Sequence, residues 1–355
     1  MRVLVVNSFS DRSEVGLWSG LVKAGISIDV ICDPTAPEQQ VLKDSGIEVS
    51  TLAIRHRLDF SAMRIIRQQL NARQYDILHA TRNRDLSVSL IASRGMKIKH
   101  IAYRGTIGHL SRLDPASWLT YLNPRLDRII CNAEAVRQYM LAMRLRETKL
   151  KTIYKGFEAD WYKSEDRSAL VEFGVPKEAI VVGFAGDIRP IKGVDVLIRA
   201  MDRLVDSPQI HLLLVGRVRD KEVESLATRS SARERIHFTG FKENAAGLMG
   251  ACDIFVMPSL GREGITKAVV EAMAQGVPAI VSKAGGLPEI VAHNECGLVV
   301  PPGDPEALAQ AIITLASDAS LRKTLGDNAK KRITTTFGMN KAIEKTLALY
   351  TELLQ

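Results

Sequence analysis

Short apolar runs alternate with stretches of helical spacing along almost the whole chain. Val3–Val6, Ser27–Cys32, Ile77–Ala80, Lys99–Tyr103 and Arg128–Cys131 read as strands. Between them, Trp18–Lys23, Ala62–Leu70, Val88–Arg94 and Glu134–Met143 place apolar residues on one face of a helix. Strands alternating with helices predict parallel strands joined by helical crossovers, a doubly wound α/β arrangement. The pattern then restarts at Ala179–Ala185 and continues through His211–Val215, Arg235–Thr239, Ile254–Met257, Ala279–Val281 and Gly297–Val300. The prediction is two Rossmann-like β/α/β domains, residues 1–158 and 164–338, joined near Ile153–Lys163. Apolar residues at helical spacing in Asn340–Leu354 predict that residues 340–355 return as a helix onto the first domain. Ligands of open α/β sheets bind beyond the carboxyl ends of the strands, so the two domains are expected to face an interdomain cleft.

A chain of 355 residues, 46% hydrophobic and 25% charged, is long enough to bury two such cores. Charged residues or glycines interrupt every apolar stretch well short of the roughly 20 residues that cross a bilayer, so no spanning helix is expected. Asn7 and Ser8 break the first apolar run before it reads as an export signal. Cys32, Cys131, Cys252 and Cys296 are scattered without the close pairs of a metal knuckle or redox motif, and read as buried free thiols. Together these features predict a cytoplasmic protein. The net charge of +8 is unevenly placed: residues 1–155 carry 24 Lys and Arg against 14 Asp and Glu, and the remainder 24 against 26. The basic front half points to an anionic partner, either a membrane surface or a glycan, with a solvated face as the simpler reading. Arg55, Arg57, Arg64, Arg67, Arg82 and Arg84, with Trp118 and Tyr121, are the residues that would form it. No nucleic-acid recognition motif accompanies this charge, so no specific nucleic-acid partner is expected.

Candidate chemistry concentrates in the second half. In Arg262–Met273, Glu263 and Glu271 stand eight positions apart across a loop-to-helix junction. One carboxylate falls before the helix N-terminus and the other about two turns inside it. The free amides between them, with the positive end of the helix dipole, suit a diphosphate. A second segment, Gly186–Gly193, follows a strand and contains Arg189 and Lys192, a planar fork and a compact point charge able to neutralise a leaving diphosphate without a metal.

Taken in order, GDIRPIKGVDVLIRA, HLLLVGR, RIHFTGF, ACDIFVMPSL, REGITKAVVEAMAQGVPAIVSKAGGLPEIV and CGLVVPPGD resemble the nucleotide-sugar domain of GT-B glycosyltransferases, specifically retaining family 4. That resemblance implies a GT-B fold and assigns Arg189 and Lys192 to stabilising the departing diphosphate. It places Glu263 near the donor sugar and Glu271 at the ribose. Gly186, Gly264, Ile265, Thr266 and Lys267 would line the phosphates. Gly216 and Arg217 occupy another loop of the donor site, and Phe241 and Lys242 lie near the nucleobase. The front half departs from the family. Its glycine-rich loop is reduced to Ser8–Gly16, with Gly16 as the remnant, and Arg104 stands where many relatives have histidine; His109 follows nearby. These three are the candidates for acceptor or donor-sugar contacts.

The resemblance implies retaining transfer of a sugar from a nucleotide diphosphate-sugar to a hydroxyl of a glycan or lipid-linked acceptor. Cell-surface polysaccharide or lipopolysaccharide synthesis at the inner face of a membrane is the expected setting. No cofactor and no metal are expected. Two alternatives remain at this stage: an epimerase or hydrolase on the same fold, and a noncatalytic sugar-nucleotide-binding scaffold suggested by the altered front loop.

Overall fold

Val3, Leu4, Val5 and Val6 are all fully buried, as a central parallel strand covered on both faces requires. In the computed structural model, which describes residues 1–355, these residues form β1 (Arg2–Val6). The first sheet adds β2 (Ser27–Cys32), β3 (Glu48–Thr51), β4 (Ile77–Ala80), β5 (Lys99–Arg104), β6 (Arg128–Cys131) and β7 (Leu150–Thr152). All pairings are parallel and the order is β3-β2-β1-β4-β5-β6-β7. Apolar runs do not announce β3 and β7. These are the two edge strands, where one neighbour is missing; β3 has only Val49 as an apolar residue and β7 is three residues long.

The chain divides into two units, Met1–Gly156 with Phe337–Gln355, and Phe157–Thr336. Residues 337 and 338 therefore belong with the first unit, although the sequence boundary placed them in the second. The ring of Phe337 packs against Tyr154 with centroids 4.8 Å apart, which ties it to the end of the first sheet. The helix Met339–Leu354 follows, and Leu349, Tyr350 and Leu353 enter the same core as Val3, Val5, Trp18 and Leu21. Inside that core the Tyr350 hydroxyl and His79 Nδ1 share a 2.6 Å hydrogen bond. His79 is thus a buried structural histidine; burial pushes its pKa down to about 3.

The second unit holds β8 (Ile180–Ala185), β9 (Ile210–Val215), β10 (Ile236–Gly240), β11 (Ile254–Met257), β12 (Ala279–Ser282) and β13 (Gly297–Val300). Their order is β10-β9-β8-β11-β12-β13, again entirely parallel. The order reverses between β8 and β11, the switch point beyond whose carboxyl ends open α/β sheets bind ligands. All four cysteines are free and buried. No helix is long and apolar enough to cross a membrane.

Candidate active site

The loop after β8 runs through Gly186 and Asp187 into a short turn, Pro190–Lys192, and the helix Val194–Met201 begins just beyond Gly193. The loop after β11 carries Ser259 and Glu263 before the helix Lys267–Ala274. A backbone bond of 2.8 Å from Leu260 N to Ile191 O joins the two loops. Across that join, Lys192 Nζ donates to Glu263 Oε1 at 2.8 Å. Ser259 Oγ donates to the same oxygen at 2.8 Å, and Thr266 Oγ1 donates to Oε2 at 3.2 Å. Three donors thus fix one carboxylate. The side chains of Lys192 and Glu263 keep only 22% and 14% exposure, so solvent screens this pair less than a surface ion pair.

The backbone of Glu263 is held as firmly as its side chain. Gly286 N donates to Glu263 O at 2.9 Å. Gly285 has φ +54°, and a Cβ there would lie 2.1 Å from the same carbonyl oxygen, so only glycine lets the chain pass so close. Arg262, just before Glu263, has φ +63°, a conformation that a non-glycine residue adopts at some cost.

Thr266 is the N-cap residue of Lys267–Ala274, yet its side chain makes no cap hydrogen bond because the hydroxyl turns to Glu263. The amides of the first helical turn are left without a side-chain cap, at the positive end of the helix dipole. Gly264, Ile265 and Thr266 lead into that turn. Glu271 lies one turn further along, its side chain 13% exposed, with Lys267 Nζ 3.1 Å from Oε1. Lys267 therefore interacts with Glu271 through its side chain, in addition to carrying one of the helix amides.

Arg189 Nη2 donates to Asp187 Oδ2 at 3.1 Å, and Arg219 Nε stands 3.7 Å from the same oxygen. Gly186 and Gly216 follow adjacent strands, and Gly186 N donates to Val215 O at 2.9 Å. The guanidinium of Arg217 stacks 4.6 Å from the ring centre of Phe241, whose side chain is exposed. Lys242 turns the other way, 4.8 Å from the ring centre of Phe173 and 3.9 Å from a Glu172 oxygen.

The three front-half candidates occupy the first unit, and one differs from expectation. Gly16 is not in a loop. It lies inside the helix Arg12–Lys23, which starts early because Asp11 and Glu14 form a reciprocal capping box. Arg104 is buried, donating from Nε to Thr106 O at 2.9 Å and from Nη2 to Gly108 O. Its guanidinium also stacks 4.7 Å from the ring centre of Tyr121, so it braces the loop that follows β5. His109, in that loop, is exposed and has φ +61°.

A model described as glycosyl transferases group 1 matches residues 167–332, and one described as glycosyltransferase family 4 matches residues 15–161. The chain belongs to glycosyltransferase family 4. A D-inositol 3-phosphate glycosyltransferase of Streptomyces avermitilis is 30% identical over 249 residues, which cover 64% of this chain and 52% of that enzyme. The chain thus spans about half the length of that relative. An uncharacterised glycosyltransferase of Methanocaldococcus jannaschii is 25% identical, with 94% and 92% of the two chains covered. Among solved structures, Anabaena HepE in complex with UDP superposes with a TM-score of 0.81 at 24% identity, covering 99% of this chain and 100% of the other. The fold is GT-B.

In the loops after β8 and β11, Ser259 and Asp187 are residues that sequence reasoning passed over. Both stand inside quoted motifs, ACDIFVMPSL and GDIRPIKGVDVLIRA. A serine four positions before Glu263 was the available signal, but its reach to that carboxylate depends on a loop with no regular period.

Proposed function

We propose that this chain transfers a sugar, with retention of anomeric configuration, from a nucleoside diphosphate-sugar to a hydroxyl of a glycan or lipid-linked acceptor. The observation that carries the reading is the convergence of Lys192 and the uncapped helix amides around Glu263. In the reaction, the bond from the anomeric carbon to the diphosphate oxygen breaks while the acceptor oxygen bonds to the same face of that carbon. The acceptor proton passes to the departing diphosphate. Lys192, Arg189 and the amides of Gly264–Lys267 would stabilise the charge that develops on the leaving group, which is also what a divalent cation would do. Glu263, held by three donors, would orient sugar hydroxyls, and Glu271 the ribose. Neither needs to act as a covalent nucleophile. The Arg217–Phe241 stack offers an exposed aromatic edge on which a nucleobase would pack.

The test begins with thermal stabilisation of the purified chain by UDP-, GDP- and ADP-sugars. The stabilising donor is then incubated with lipid-linked and soluble glycan acceptors in the presence of a chelator, and the product's anomeric configuration is read by NMR. Retained configuration without added metal supports the proposal. Donor consumption that is equally fast without acceptor would instead favour the hydrolase or epimerase reading, and failure of every donor to stabilise would favour the scaffold. We propose further that the acceptor is presented at an anionic membrane surface, a reading supported by the basic first unit.

A further inference from the structure

Away from the donor site, the first unit contains a cavity of about 370 Å³ walled by the segments 112–129 and 144–149. Four cationic side chains line it: Arg112, Arg144, Arg146 and Lys149. None of them forms an ion pair. Acidic groups on the same segments are committed elsewhere. Asp114 accepts from Ala116 N and Ser117 Oγ, both at 3.0 Å. Asp127 accepts from His100 N at 2.8 Å and lies 3.8 Å from Lys99 Nζ, while Glu147 pairs with Arg137. Burial lowers the Lys149 pKa; Asp127 opposes that shift, and the nearby Arg146 charge reinforces it.

Two of the cations are held by hydrogen bonds from their charged heads to backbone carbonyls. Lys149 Nζ donates to Pro124 O at 2.8 Å, and Arg112 Nη1 donates to Met143 O at 3.2 Å. Trp118 Nε1 donates to Arg112 O at 2.8 Å, and the Arg112 guanidinium lies 5.4 Å from the Trp118 ring centre. The remaining wall is mostly apolar, including Leu122, Leu126 and Leu145, with Asn123 among them. Leu113, which follows Arg112 in the chain, is 94% exposed, and Trp118 in the cavity wall is 41% exposed. Four unpaired cations around a cavity call for an anion, and a naked leucine next to them calls for an apolar phase. A free phosphate satisfies the first demand and leaves Leu113 in water.

We propose that this cavity binds the phosphate headgroup of an anionic lipid, with Leu113 and Trp118 entering the acyl boundary, so that the first unit docks on a membrane surface. Surface cations and inserted apolar side chains are the two signals that make peripheral attachment stable. The proposal deepens the reading of a membrane-presented acceptor given above, and it is testable with no donor and no transfer.

The experiment is sedimentation of the full chain with vesicles of phosphatidylcholine, alone or mixed with phosphatidylglycerol. The chain is expected to partition only to the mixed vesicles. Arg144→Gln with Arg146→Gln should weaken that partitioning about 25-fold, about fivefold for each cation removed. Leu113→Gln should weaken it about tenfold, through lost apolar burial. If the double variant misfolds, as read by its melting curve, the single changes Arg112→Gln and Lys149→Gln serve in its place. Equal partitioning to neutral vesicles, or variants that sediment like the parent, would overturn the proposal. So would binding of inorganic phosphate or of soluble heparin by a chain that ignores the vesicles. Vesicle binding that persists in a Lys192→Ala chain without transferase activity separates this surface from the catalytic reading.

Discussion

Lys192 Nζ donates to Glu263 Oε1 at 2.8 Å, a contact between residues 71 positions apart that joins the loops of two neighbouring strands. Lys192 cannot shift without disturbing the carboxylate, and the carboxylate cannot turn without breaking its bonds to Ser259 and Thr266. Lys192→Ala should therefore lower transfer about 100-fold or more, as loss of a preorganised electrostatic donor does. The melting temperature should change little, because Glu263 keeps two donors. Steady-state transfer and a melting curve on the same preparation check both halves; near-parent transfer would remove Lys192 from the chemistry.

Ser259 is fully buried and reaches the same carboxylate oxygen. Ser259→Ala deletes a hydrogen bond to a charged group, worth about 1.5–3 kcal/mol. The cost should appear partly as stability and partly as a fall in kcat, whereas Ser259→Thr should recover part of the kcat. A kcat unchanged by Ser259→Ala would reduce the serine to a packing residue.

Gly285→Ala should be worse than an ordinary substitution of a left-handed glycine. Its Cβ would meet Glu263 O at 2.1 Å, whereas at Gly25, also left-handed at φ +89°, nothing lies within 4 Å. Both variants carry the conformational penalty of about 1–2 kcal/mol. Only Gly285→Ala should also displace Glu263 and depress transfer. Denaturant unfolding and transfer rates of the pair distinguish them; equal losses of activity would contradict the contact.

His79 makes stability depend on pH through the docking of the terminal helix. Its folded pKa, pushed down to about 3 by burial, lies below the ordinary 6.5 of the unfolded chain. Below 6.5 the unfolded state binds a proton that the native core refuses, so the stabilisation is complete above that value and is lost as pH falls towards 3. Between about pH 7 and about pH 5 the loss is about 2 kcal/mol, from a slope approaching about 1.4 kcal/mol per pH unit. Unfolding free energies measured at both pH values should differ by about 2 kcal/mol less in His79→Gln than in the parent. An unchanged pH dependence would mean that the imidazole titrates normally.

The central strands were legible because a strand covered on both faces is almost wholly apolar, as in Val3–Val6 and Leu212–Val215. Glu263 and Glu271 were legible for a similar reason, since the distance between them is set by one loop and one helix. The edge strands β3 and β7 were hidden because edges bury too little surface to force a pattern. Gly16 was misplaced because the helix start depends on the Asp11–Glu14 capping box, which moves the whole segment out of the loop. The charge of Arg104 is visible in sequence, whereas its bonds to Thr106 O and Gly108 O depend on how the loop after β5 folds.

By itself, then, the amino-acid order determined the two α/β units, the alternation that builds them and the identities of the charged residues in the loops after β8 and β11. Those features depend on each element's own period and on short spacings along the chain. Tertiary structure alone decided that Lys192 and Ser259 converge on Glu263, that Tyr350 closes over His79, and that Arg112, Arg144, Arg146 and Lys149 share one cavity. Each of those contacts depends on which strands are neighbours and how the loops between them pack, and no local period encodes that order.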